Sequence, residues 1–151
     1  MVGKTRQANA KDRKRMDTIA QYCGCLPCLL MGWPDVHTSI EHVTERGRRM
    51  PDEHQWTIGL CVWHHFGHCQ HGKGRQQMSG ELGPPLTWGR HIFEDHFGDE
   101  VKVLVPTQDF VLAKFDERPW PEYALPRDVA RLTRIHWIEL NAAPSRYTVQ
   151  S

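Results

Sequence analysis

The chain contains no apolar run approaching the ~18 residues of a membrane-spanning helix, and no stretch with the pattern of a secretory signal peptide. These absences argue against a membrane-embedded or exported protein. A paired cysteine set is also missing. Five cysteines are an odd number, and a Cys-x-x-Cys spacing suits a metal better than a disulfide framework. A reducing compartment is therefore expected, the cytoplasm of a bacterial cell or infected host. Apolar residues make up only 39% of 151 positions, which allows one domain with a modest core. A core of that size commonly needs a staple such as a metal. There is no internal repeat and no sign of a second domain. Net charge is small as well, +1, but it conceals an asymmetry. Residues 1–15 hold Lys4, Arg6, Lys11, Arg13, Lys14 and Arg15 against the single acid Asp12, a balance of +5 that leaves −4 on the rest. Such a basic arm suits phosphate binding.

What is present reads as alternating short elements. Residues 1–9 are expected to be a disordered arm. A helix should follow over Lys11 to Tyr22, with Met16, Ile19 and Ala20 at helical spacing, stopping at Cys23-Gly24. Cys25-Leu26-Pro27-Cys28 reads as a tight turn, because Pro27 lacks an amide donor. Residues 36–44 and 56–60 read as strands, separated by the basic loop Arg46-Gly47-Arg48-Arg49. A helix should begin near Val62–His64. Residues 67–85 carry five glycines and Pro84-Pro85 and read as a long loop. Thr87 is placed to cap a helix carrying Trp88, Ile92, Phe93 and Phe97 and ending at Gly98. Residues 99–117 read as helical with a restart at Pro106, or with a strand over Val101–Val105. The tail from Arg118 holds three prolines and then an amphipathic element over residues 127–140.

Chemistry concentrates in two pairs of residues. Cys25 and Cys28 form one; Cys61 and His64 form the other, again with two residues between them. Two such pairs suit a tetrahedral zinc. Cys23 competes with Cys25, but the Cys-x-x-Cys spacing favours Cys25. Cys69 has no assigned partner. Between the pairs lies Ile40-Glu41-His42-Val43, and beside the last ligand lies His65. Hydrolysing a phosphodiester needs a base to activate water and a cation held by few ligands. His42 has the pKa for the base, Glu41 is a hard oxygen ligand, and His65 completes a cation site. Neighbours in a regular strand point to opposite faces, so Glu41 and His42 share a centre only at a strand end. His68, four residues after His64, is a reserve ligand, and His71 reads as a substrate contact or a solvated residue. Arg46, Arg48, Arg49 and the arm residues Lys11, Arg13 and Lys14 are the candidate phosphate contacts.

A strand bearing Asp-His or His-His, a loop, and then Leu-Cys-x-x-His-His entering a helix resembles the ββα-metal pattern of HNH endonucleases. Within that superfamily the chain resembles the bacteriophage Ref-type recombination enhancement nucleases. The segments that carry this are Gly24–Cys28, Ile40–Val43, Thr57–His65, Gly83–Leu86 and the Phe93–Gly98 region, within about residues 10–105. The resemblance implies an α+β fold, a small ββα-metal (HNH/His-Me finger) core stapled by structural zinc with flanking helices. It implies an HNH nuclease domain over 10–117; residues 118–151, which fall outside the resemblance, are expected to be a C-terminal extension packing on the same domain. It implies a metal-dependent DNA endonuclease of phage or prophage origin, with His42 as general base and position 41 and His65 on the catalytic metal, Mg²⁺, Mn²⁺ or Zn²⁺. DNA and a RecA-type filament are the implied partners. Two departures stand out. Ref-type members carry His where this chain has Glu41, although Asp is common there in other HNH enzymes. The asparagine that orients the HNH base has no asparagine counterpart; Trp56 or Thr57 falls near its place. The competing expectation is a zinc-stapled DNA-binding recombination accessory protein that does not cut. A more remote third is a metal-sensing module.

Overall fold

The architecture is set by a two-stranded antiparallel hairpin whose second strand runs straight into a short helix. The structure, a computed structural model, describes residues 7–34, 36–117 and 127–149. Strand β1 (Ser39–His42) pairs with β4 (Thr57–Leu60) in the register Glu41 opposite Ile58 and His42 opposite Thr57. Between them β2 (Thr44–Glu45) and β3 (Arg48–Arg49) form a second hairpin, closed by Arg46 and Gly47, both at positive φ. The backbone amide of Val43 donates to Trp56 O, so the main hairpin runs one residue beyond His42. Every residue of β4 is buried, whereas β1 has an exposed Ser39 followed by half-buried Ile40, Glu41 and His42. Helix α3 (Val62–Phe66) follows β4 after Cys61, whose sulfur caps it by accepting from the His64 amide.

Helices surround this unit. Helix α1 (Ala10–Thr18) passes into a π-helical turn, Ile19–Cys23, that ends at Gly24. Asn9, expected within the arm, caps α1 in a reciprocal box with Asp12. Asp12 is therefore a buried capping group and not a solvated arm residue. Residues 1–6 lie outside the described residues. The Cys25–Cys28 segment is not a bare turn: Cys28 lies within helix α2 (Leu26–Leu30), with Cys25 as its N-cap. Pro27 is tolerated because amides of a first helical turn have no intrahelical partner.

The glycine-rich stretch is likewise not all loop. It contains helix α4 (Arg75–Leu82), bounded by Gly74 and Gly83. Arg, Gln, Met, Glu and Leu are good helix formers, and Met78 is buried against the cysteine cluster. Thr87 lies inside a 3₁₀ turn, Leu86–Trp88, and Gly89 precedes helix α5 (Arg90–Phe97) in its stead. The strand alternative over 101–105 does not occur. Asp99 accepts from the amides of Val101 and Lys102 and starts a π-helical turn, Glu100–Leu104, that continues as α6 (Val105–Glu117). Pro106 falls in the first turn of α6 and interrupts nothing. Helix α7 (Arg127–Val149) packs on α2 and α6, and Trp137 Nε1 donates to Phe97 O at 2.6 Å. Residues 118–126 lie outside the described residues. Among those described, no helix is long and apolar enough to cross a membrane.

The main core joins Leu26, Leu29, Ile58, Leu60, Phe93 and Phe97 beneath the hairpin. Gly59 is required at its centre. A Cβ there would sit 2.4 Å from Gly24 O, so no side chain lets β4 lie against the end of the π turn. Gly59 N donates to the buried Gln108 Oε1 at 3.1 Å, which ties β4 to α6.

Candidate active site

The cysteine–histidine cluster is closed. Ligand atoms of Cys25, Cys28, Cys61 and His64 lie within 4.8 Å of one another, and all four residues are buried. His64 Nδ1 is 3.3 Å from the sulfurs of Cys25 and Cys61 and 3.4 Å from that of Cys28. The Cys28 and Cys61 sulfurs are 3.7 Å apart. That is too far for a disulfide; it is close to the edge of a tetrahedron with ~2.3 Å metal–sulfur bonds, about 3.8 Å. His64 Nε2 lies 2.7 Å from Leu82 O, so the proton sits on Nε2 and the Nδ1 lone pair faces the sulfurs. Helix α4 thus supplies the acceptor that orients the histidine. Hydrogen bonds from Cys25 and Cys28 push the Cys61 thiol down, while burial pushes Cys25 up and the neighbouring sulfurs push Cys28 up. The donor set and spacing could hold a structural zinc.

Cys23 is a buried member of the main core, its thiol pushed up to about 12 by burial, and stands outside the cluster. Cys69 is exposed. His68 is exposed, and its ring lies 5.7 Å from that of Phe66, so it is not a ligand of the cluster. His71 is exposed at φ 57°.

The second group is more open. Glu41 Oε2 and His65 Nε2 are 2.7 Å apart, with side chains 17% and 23% exposed. His65 stacks on the exposed ring of Phe66 at 4.0 Å. Burial raises the Glu41 pKa, opposed by His65, Arg90 and Arg49. His42, the next residue, pairs elsewhere: its Nε2 lies 2.9 Å from Nδ1 of the buried His54. His54 Nε2 lies 3.8 Å from Glu53 Oε1, and Arg49 Nη1 binds Glu53 Oε2 at 2.8 Å. One ring donates and the other accepts in the His42–His54 contact, according to tautomer. The other ring nitrogen of His42, Nδ1, has no hydrogen-bond partner among the described residues. Burial first, then Arg49 and His54, hold the His42 pKa below the ordinary imidazole value, so the ring is a free base at neutral pH. Glu41 and His42 are the last residues of β1, and the backbone pairing continues through Val43.

Residues 8–111 match the family model described as recombination enhancement, RecA-dependent nuclease. The chain belongs to this family. No curated protein matches it.

The residue that sequence reading did not single out is His54, which the fold sets against His42. It sits in a 3₁₀ turn, Glu53–Gln55, entered through Asp52 in the left-handed region. Thr57, read as a possible orienter, acts one step removed: its hydroxyl donates to His54 O at 3.0 Å. Arg15, counted with the basic arm, is committed inward, with Nε on Thr57 Oγ1 and Nη2 on Thr57 O. Of the candidate phosphate contacts, Arg46 and Arg48 project from the β2–β3 hairpin and are exposed. Arg49 is held by Glu53 and Lys14 faces Asp116 at 3.4 Å. Arg13 donates to Ala8 O, and Lys11 is exposed.

Proposed function

We propose that this nuclease is a metal-dependent DNA endonuclease of the HNH type, acting in the bacterial cytoplasm on DNA presented by a RecA-type filament, and of phage or prophage origin. The β1–β4 hairpin followed by α3 serves as its ββα-metal core. The reading rests above all on His42, which uses Nε2 on His54, keeps Nδ1 unbonded among the described residues, and is next in sequence to Glu41 of the Glu41–His65 pair. His42 Nδ1 takes the proton from water as oxygen attacks phosphorus. His54 holds the ring in the tautomer that permits this, the role of the absent asparagine. Glu41 and His65 would hold a divalent cation; cis ligands at ~2.1 Å from such an ion lie about 3.0 Å apart, so the present pair needs to open only slightly. When bound, that cation supplies charge stabilisation for the phosphorane and the departing 3′ oxygen. Arg46 and Arg48 draw in the phosphate backbone, which makes binding salt-sensitive.

The non-cutting accessory reading drew on the missing asparagine, and the His42–His54 pair weakens that argument. Incubating zinc-loaded protein with filament-coated single-stranded and duplex DNA over a Mg²⁺ or Mn²⁺ titration separates the two. Cation-dependent strand breaks are expected. DNA shifted in a gel and never broken would favour the accessory protein.

A further inference from the structure

Glu100 is a buried carboxylate with no part in the chemistry above. It is 1% exposed, and neither of its oxygens has a hydrogen-bond partner among the described residues. Arg90 Nη1 lies 3.2 Å from Glu100 Oε1 as an ion pair. The same nitrogen donates to Thr44 O at 3.2 Å. Thr44 is two residues beyond His42, where the strand carrying Glu41 and His42 continues toward the arginine hairpin. The Thr44 carbonyl as hydrogen-bond acceptor and the Glu100 carboxylate as ion-pair partner therefore hold one corner of the guanidinium. The rest is free: the side chain is 42% exposed, and Nε and Nη2 make no hydrogen bond among the described residues. The bond to Thr44 O sets Arg90 at the end of the strand that carries Glu41 and His42. Burying a carboxylate without hydrogen bonds costs stability, which asks what Glu100 gives in return.

We propose that Arg90 is a phosphate-binding residue of the DNA cleft and that Glu100 is its buried positioning residue. The substrate in this proposal rests on the nuclease reading. An arginine fork matches two oxygens of one phosphate, and an anchored fork loses less freedom on binding than the exposed hairpin arginines. Arg46 and Arg48 steer the backbone from a distance, whereas Arg90 fixes one phosphate in register with Glu41 and His65.

The test uses the zinc-loaded full chain and the paired variant Arg90→Gln/Glu100→Gln. That variant removes the guanidinium and its buried partner together, so no unpaired carboxylate stays buried. Affinity for fluorescent single-stranded and duplex oligonucleotides is measured against salt, and cleavage is measured on filament-coated DNA. The expected result is roughly tenfold weaker binding, a salt slope lower by about one phosphate contact, and a raised KM, with zinc content and melting preserved. Arg90→Lys should keep the slope, because the charge remains, and lose cleavage rate, because the fork is gone. Unchanged affinity, slope and KM in the paired variant would overturn the assignment, as would a wild type that binds no DNA. A wild type that loses slope in the paired variant and yet never cuts would defeat the nuclease reading and leave the phosphate contact standing. Cleavage by wild type and paired variant with equal rate and KM would do the reverse, keeping the nuclease reading and overturning the Arg90 contact.

Discussion

His64 and His65 are neighbours on α3 and have opposite surroundings. His64 is fully buried, with three sulfurs around Nδ1 and a carbonyl on Nε2. His65 is partly exposed and meets a single carboxylate. The difference follows from helix geometry, since adjacent residues are turned ~100° apart about the axis. It separates two kinds of metal chemistry. A site with four protein ligands and no opening can only hold the fold together, whereas a site with two ligands and access to solvent leaves room for water and phosphate. In the proposed reading one turn of helix joins a staple to a reaction centre, and positioning of the second depends on integrity of the first.

The largest effect should come from the closed site. Cys28→Ala removes one of four zinc ligands, and structural zinc binding is folding energy. We expect loss of bound zinc and of cooperative melting together, with His65 and Glu41 losing their register. Unaltered zinc content and melting would remove Cys28 from the staple.

Next in size are effects at the open site that leave the staple alone. His54→Ala should lower kcat by roughly 10–100-fold, by analogy with other orienting partners, while zinc content and KM stay the same. His54→Asn should recover much of the rate, because an amide oxygen can accept from His42 Nε2–H. Equal loss in both variants would mean that His54 merely packs.

The smallest effect concerns Glu100, whose pKa burial pushes up to about 7. Because the native value lies above the unfolded one, the native state keeps this proton when the unfolded chain has already lost it. Stability contributed by the group is then full at acid pH and is lost as pH rises toward and through 7, by at most roughly 3 kcal/mol. Glu100→Gln should flatten that decline in a melting series from pH 5 to 8. A wild type and variant with parallel pH profiles would contradict the assigned shift.

The four cluster ligands were legible because each pair is local. Two residues of spacing fix Cys25 with Cys28 and Cys61 with His64 whatever the rest of the chain does. Glu41, His42 and His65 could be nominated for the same reason, since they flank those pairs. His54 could not, because its contact with His42 spans twelve residues and depends on a single left-handed residue, Asp52, and a 3₁₀ turn that leave no periodic trace. Helix α4 was hidden by the glycines around it, although its Leu82 carbonyl orients a zinc ligand. Arg15 illustrates the opposite error: read by composition it belongs to a phosphate-binding arm, and in the fold it grips Thr57.

The central claim is that His42 is the base of a cutting enzyme. Its most direct test is cleavage of filament-coated DNA by wild type and His42→Ala side by side, with Mg²⁺ or Mn²⁺ and with zinc content and melting measured on the same samples. The account predicts intact zinc and melting in both, cleavage by wild type, and a loss of roughly 10²–10⁴-fold in the variant. Cleavage by His42→Ala at the wild-type rate would contradict it.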